Sequence, residues 1–210
     1  MIAIIDYGVG NLFSLKCSFA KIGAEAVVTS DPEVLRCADR LILPGVGAFE
    51  DAAKKLRQSG LDQVILEETE RGKPLLGICL GMQMLFEKSY EYGEHDGLGL
   101  IAGNIRPIRN EHNQHLKIPH IGWNQLYFGS KKDELFRYLQ EGDFVYFVHS
   151  YYGCDCDTSV IATTEYGDKL TAAVRSGSVW GVQFHPEKSG KIGLAILRAF
   201  CEIDRKGNDL

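Results

Sequence analysis

Three short stretches carry residue types whose placing could do covalent chemistry. In "LLGICLGMQMLF", Cys79 stands between Gly77 and Gly81 where an apolar, strand-like run gives way to a helical pattern. A thiol at such a corner meets the unpaired amides and positive partial charge of a helix start, and both favour thiolate over thiol. The Leu80 amide is placed to stabilise an oxyanion formed when the sulfur attacks a carbonyl. In "VWGVQFHPEKSG", His185 lies just past a strand that Pro186 stops, and Glu187 can turn back to orient the imidazole and favour its charged form. In "LILPGVGAF", the turn Pro44-Gly45-Val46-Gly47 ends another strand and offers a second oxyanion donor. Taken singly, each stretch also reads as ordinary structure: a core cysteine packed by glycines, a surface His-Pro-Glu turn, a strand-to-helix turn. Taken together they gather at the carboxyl ends of strands, where doubly wound sheets place their sites.

The elements that would carry these residues follow from hydrophobic period. "AIIDYG", "AEAVVTS", "RLILPG" and "PLLGI" read as buried strands alternating with helices. The helices are expected from an Asn11 cap to Ile22, from the Asp31-Pro32-Glu33 start, over Phe49 to Gln58 and over Leu61 to Arg71. Such alternation predicts a doubly wound, mainly parallel α/β sheet covered on both faces. The second half, from "NIRPI" through "IGWNQLYF", "DFVYFVHSYY", "SVIATTEY" and "LTAAVRSG" to "VWGVQF", reads as an added antiparallel β portion. It carries one short helix near Asp133 to Leu139, and a last helix runs over Lys191 to Ile203. The charged segment Glu87 to Gly97 is expected as a mobile loop. Residues 1–205 are expected to form one domain, with 206–210 a frayed tail.

Composition narrows the function classes. The 210 residues, 45% of them hydrophobic, suffice for one large core. A net charge of −5 supplies no field for nucleic acid. No basic leader or membrane-length apolar run opens the chain, so a soluble cytoplasmic protein is expected. Six scattered cysteines suit reduced thiols. His112, His115 and His120, with Cys154 and Cys156, match no closed zinc spacing, and a solvated polar loop is the better reading. "DYGVGN" lacks the order of a dinucleotide turn. Neither metal nor nucleotide cofactor is expected.

"GICLGMQ", "FHPEKS" and "PGVGAF" together resemble the class I, or triad, glutamine amidotransferases. "DYGVGN", "PHIGWN" and "YFVHSYY" resemble in particular the glutaminase subunits of imidazole glycerol phosphate synthase, and the likeness runs from Ile2 to about Phe200. The resemblance implies a flavodoxin-like sheet and hydrolysis of glutamine to glutamate and ammonia, with Cys79 as nucleophile, His185 as acid and base, and Glu187 orienting it. It implies an oxyanion hole from Leu80, Val46 and Gly47, with Val46 as a switch, and glutamine contacts from Gly47, Gln83, Glu91, Ser150 and Tyr151. It implies a (β/α)8-barrel cyclase as heterodimer partner, contacted by Asn11, Trp123, Asn124, Tyr146 and Lys188. The cyclase would use the ammonia to form imidazole glycerol phosphate and aminoimidazole carboxamide ribotide in histidine biosynthesis. For "PHIGWN" a core strand with buried Trp123 is the competing reading. For the whole chain the competitors are another cysteine hydrolase, a non-enzymatic subunit that keeps the fold, and a glutaminase feeding a different acceptor synthase.

Overall fold

A computed structural model describes residues 1–108, 116–129 and 131–203. His112, His115 and the tail 206–210 lie outside these residues, and so does any decision on a metal site built from those histidines. The first strands are β1 (Ile2–Ile5), β2 (Ala26–Thr29), β3 (Arg40–Leu43) and β4 (Leu75–Ile78). Between them run α1 (Leu12–Lys21), α2 (Pro32–Cys37), α3 (Phe49–Gln58) and α4 (Leu61–Glu70). The short helix α5 (Leu80–Met84) follows β4. Then come β5 (Phe86–Ser89), β6 (His95–Asp96), β7 (Ile101–Pro107), β8 (His120–Gln125) and β9 (Tyr127–Phe128). The remaining strands are β10 (Phe144–His149), β11 (Tyr151–Cys154), β12 (Val160–Tyr166), β13 (Asp168–Ser176) and β14 (Val179–Val182), before the closing helix α6 (Gly190–Cys201).

The main sheet runs β2-β1-β3-β4-β14-β13-β12-β9. Its first five strands are parallel, and β13, β12 and β9 extend it antiparallel. The parallel strands read as unbroken apolar runs because both faces are buried. In β1, Ala3 and Ile5 pack with α2, α3 and α4, whereas Ile2 and Ile4 pack with α1 and α6. The sheet is therefore doubly wound, as the alternation of strand and helix requires.

Several local expectations change. Asn11 stands at the N-cap of α1 but makes no side-chain cap bond, whereas Asp31 accepts from the Glu33 amide at 2.9 Å. The segment at Glu87 to Gly97 is not wholly loop: β5 and β6 pair as a hairpin, and β5 also joins β7 and β11 in a second sheet. "IGWNQLYF" and "DFVYFVHSYY" each divide between sheets, with β8 and β10 forming a two-stranded ribbon of their own. The helix expected near Asp133 to Leu139 is a single 3₁₀ turn, Glu134–Phe136, because the Asp133 carboxylate is pinned to Arg175 and Trp180 as well as to the Leu135 amide. The most consequential change concerns "VWGVQF": β14 keeps an antiparallel pairing with β13 but on its other edge lies beside β4 as the fifth parallel strand, joining the two portions into one sheet.

Candidate active site

Insertion of β14 decides which residues meet. Val182 is in register with Ile78, and the Cys79 amide donates to the Val182 carbonyl at 2.8 Å. Two strands far apart in sequence thus end side by side, one followed by Cys79 and the other by His185. Cys79 takes φ +53° and ψ −111°, a conformation that costs an L-residue energy and holds the side chain at the crest of the turn. The turn is this tight because α5 lies against the end of β3: a Cβ at Gly81 would sit 1.8 Å from the Leu43 carbonyl oxygen, and one at Gly77 would sit 2.7 Å from that of Gly81. The helix is brief, ending where Phe86 enters β5.

His185 is held from two sides. Its amide donates to the Tyr146 carbonyl at 2.9 Å, and the Ser189 hydroxyl donates to its own carbonyl at 2.6 Å. Its Nδ1 is 2.9 Å from Glu187 Oε1, with both side chains almost fully buried. Its Nε2 is buried without a hydrogen-bond partner in the protein. Burial alone would lower the imidazole pKa, but Cys79 and then Glu187 outweigh it and push it up to about 9. One ring nitrogen is thus fixed by a carboxylate, while the other is left to the sulfur and its substrate.

These residues line a cleft of about 310 Å³ together with Val46, Gly47, Leu80, Gln83, Glu91, Ser150 and Tyr151. Every residue expected to bind glutamine or its oxyanion is therefore brought to one cavity, with Glu187 behind His185. The Tyr7 hydroxyl donates to the Pro44 carbonyl at 2.7 Å, and a Cβ on Gly45 would lie 2.8 Å from the Gly81 amide nitrogen, so this half of the turn is locked to the elbow. Val46 is 43% exposed at the lip, and Gly47 has φ +98°. The Glu91 carboxylate accepts from the Phe49 amide at 2.5 Å, closing the cleft wall onto the start of α3. The Gln83 side-chain nitrogen is shared between the Tyr151 carbonyl and Gln183 Oε1, both at 3.1 Å.

The residues expected at a partner surface divide. Trp123 is 54% exposed, which removes the buried-core reading, and it meets Tyr146 edge-on at 6.1 Å, with Lys188 over the Tyr146 ring. Asn124 is turned inward, donating to the Glu165 carbonyl at 2.8 Å. Asn11 begins α1, which packs against the turn carrying Lys188. Sequence reasoning missed His149, Gln183 and Tyr7. The first was legible, since period-two alternation in "FVYFVH" places it on the buried face with Val145 and Phe147. Among the described residues no cluster of potential ligands could hold a metal ion, and no helix is long and apolar enough to cross a membrane.

Known proteins with this arrangement form a defined class. The family model described as "Glutamine amidotransferase class-I" matches residues 3–202, and the chain belongs to that family. A crystal structure titled as a glutamine amidotransferase shares the fold, with TM-score 0.73 at 22% identity over 96% of this chain and 98% of that one. Within the class the relatives are specific. The chain is 48% identical to the imidazole glycerol phosphate synthase subunit HisH of Wolinella succinogenes, over 97% of this chain and 100% of that protein. It is 50% identical to subunit HisH of Lactococcus lactis subsp. lactis (strain IL1403), over 96% and 98%.

Proposed function

We infer that this chain is the glutaminase subunit of an imidazole glycerol phosphate synthase, hydrolysing glutamine to glutamate and ammonia for histidine biosynthesis. The observation that carries the reading is the delivery of a strained Cys79 and a Glu187-held His185 to one cleft by the adjacent parallel strands β4 and β14. Cys79 Sγ attacks the side-chain amide carbon of glutamine, forming a C–S bond. The negative oxygen is met by the Leu80 amide, which has no intrahelical partner as the first residue of α5, and by an amide of the Val46-Gly47 turn. His185 gives its proton to the departing nitrogen as the C–N bond breaks, leaving a thioester and ammonia. Acylation removes the sulfur's charge, one of the two influences that keep His185 protonated, so the imidazole becomes basic enough to take a proton from water. Attack of that water breaks the C–S bond, releases glutamate and restores the charged sulfur, with the water's proton left on His185.

The ammonia passes to a (β/α)8-barrel cyclase bound as a heterodimer. Ile121, Trp123 and Phe144, each about half exposed, stand with Tyr146 and Lys188 on one side of the β8–β10 ribbon, an apolar and aromatic surface of the kind that partners cover. Since Tyr7 and Gly45 fix the first half of the oxyanion turn, the Val46–Gly47 peptide is the part free to rotate when the partner binds. Glutaminase assays with and without the cyclase and its nucleotide ligand test this: slow turnover alone and strong acceleration in the complex are expected. Cys79→Ala should abolish glutamine-dependent synthesis and spare ammonia-dependent synthesis. Full activity of the isolated chain would refute the switch, and loss of both syntheses would refute pure ammonia supply.

A further inference from the structure

A polar chain that starts in the cleft wall at His149, Tyr151 and Gln83 and runs inward has a direction that hydrogen-bond chemistry determines. Its hub is the backbone carbonyl of Tyr151, which can only accept. His149 Nδ1 lies 2.9 Å from it and must carry a proton. Burial pushes the His149 pKa down to about 4, so near neutral pH its Nε2 is bare. That nitrogen lies 2.9 Å from His120 Nδ1, which must in turn donate. His120, likewise pushed down to about 4 by burial, is left with Nε2 as an acceptor, and the Asn124 amide approaches it at 3.4 Å. The His120 ring is clamped in this pose between Tyr166 and Phe147, with centroids 4.0 and 4.9 Å away. From the other side, the Gln83 side-chain nitrogen donates to the same carbonyl and to Gln183 Oε1, which turns the Gln183 nitrogen toward Cys79 Sγ at 3.8 Å. Gln183 and His149 are both buried.

We propose that His120, His149 and Gln183 are positioning residues for glutamine hydrolysis: the two imidazoles hold the Ser150–Tyr151 wall, and through the Tyr151 carbonyl and Gln83 they fix the amide of Gln183 on the Cys79 sulfur. This rests on reading the cleft as the glutamine site. The wall is where β10 passes into β11 and changes sheet: His149 is the last residue paired with β8, Tyr151 the first paired with β7, the Ile108 amide donates to the Ser150 carbonyl at 2.8 Å, and the side-chain chain braces the step between the two ladders. Loss of His149 leaves the Tyr151 carbonyl with Gln83 as its side-chain donor and the wall less firmly held. Loss of the Gln183 amide removes one side-chain donor from the sulfur and acts at the acylation step.

The test uses the chain in complex with its cyclase partner, with glutamine as the probe. His149→Leu is expected to raise KM for glutamine about tenfold or more, whereas His149→Asn, whose amide nitrogen falls near the position of Nδ1, restores most of it. Gln183→Met is expected to lower kcat with a smaller change in KM. A soluble, folded His149→Leu complex with unchanged KM overturns the proposal, as does failure of the Asn variant to recover more than the Leu variant. Should His149→Leu not fold, the Asn variant against wild type and Gln183→Met decide by the same criteria. Independently, ¹⁵N spectra of the wild-type protein near neutral pH should show both histidines as neutral Nδ1–H tautomers. A charged ring or an Nε2–H tautomer at either position overturns the direction of the chain. If the wild-type complex lacked glutaminase activity, the reading of the cleft would fail while the spectra still judged the chain.

Discussion

His185 illustrates how a side chain acquires a working state from its surroundings. Its imidazole is buried, which alone would discharge it, yet Cys79 and Glu187 together hold its pKa at about 9. In the role proposed for His185, the proton given to the leaving ammonia is present below that value and lost as pH rises through it. With the partner bound, kcat/KM for glutamine is expected to show an alkaline limb centred near pH 9, and Glu187→Gln should move that limb to lower pH; a pH-rate profile measures both. The same raised pKa adds stability that is complete below the ordinary value of 6.5 and is lost as pH rises through about 9. At this scale the sequence was highly informative. Cys79, His185 and Glu187 announce themselves by chemistry and by the glycine and proline beside them. Gln183 did not, because a polar residue continuing an apolar strand gains meaning only from what lies across the sheet, here Gln83 and the sulfur.

Elements hold this site by backbone approach more than by side-chain contact. The elbow helix α5 presses on the end of β3 at Gly81, and an added methyl would collide with the Leu43 carbonyl. Because the obstacle is backbone, a rotamer change cannot relieve it. Gly81→Ala is expected to destabilise the fold by about 2 kcal/mol or more, read as a lower denaturation midpoint, and to misplace Cys79 in whatever folds. The first four strands and their helices were legible as elements because each is a short apolar run between clear stops. The β-rich half was legible only as strand-like segments. Its sheet membership depends on bends within continuous runs, such as Ser150 between β10 and β11, which carry no local signal. The loop expected at Glu87 to Gly97 shrinks to the turn at 90–94 for a related reason: charged residues on β5 and β6 lie along a hairpin, and polarity alone does not distinguish that from an unstructured loop.

Over the whole molecule, the site and the proposed partner surface are joined through β10. Tyr146 presents its ring beside Trp123 while its backbone carbonyl accepts the His185 amide and its own amide bonds Ser189. The aromatic face thus touches the histidine turn both through the Tyr146 backbone and through Lys188 over the Tyr146 ring. Trp123→Ala is expected to weaken association with the cyclase about tenfold or more, measured by titration, because a half-exposed aromatic contributes binding and little to the fold. Unchanged affinity would move the interface elsewhere. The doubly wound sheet was the most legible property at this scale, since alternating strands and helices leave few alternatives. The position of β14 was the least legible, because nothing in "VWGV" distinguishes a parallel neighbour of β4 from one more antiparallel strand.

The late insertion of β14 also sets an order in time. On the ribosome, β4 emerges with one edge paired to β3 and the other unpaired until Val179–Val182 arrive, roughly a hundred residues and on the order of ten seconds later. During that interval the nascent chain carries the proposed nucleophile, Cys79, beside an open sheet edge, without His185, the histidine proposed to work with it. On that reading the proposed site is incomplete until β14 and His185 have been made, and closure of the sheet and assembly of the site become one event.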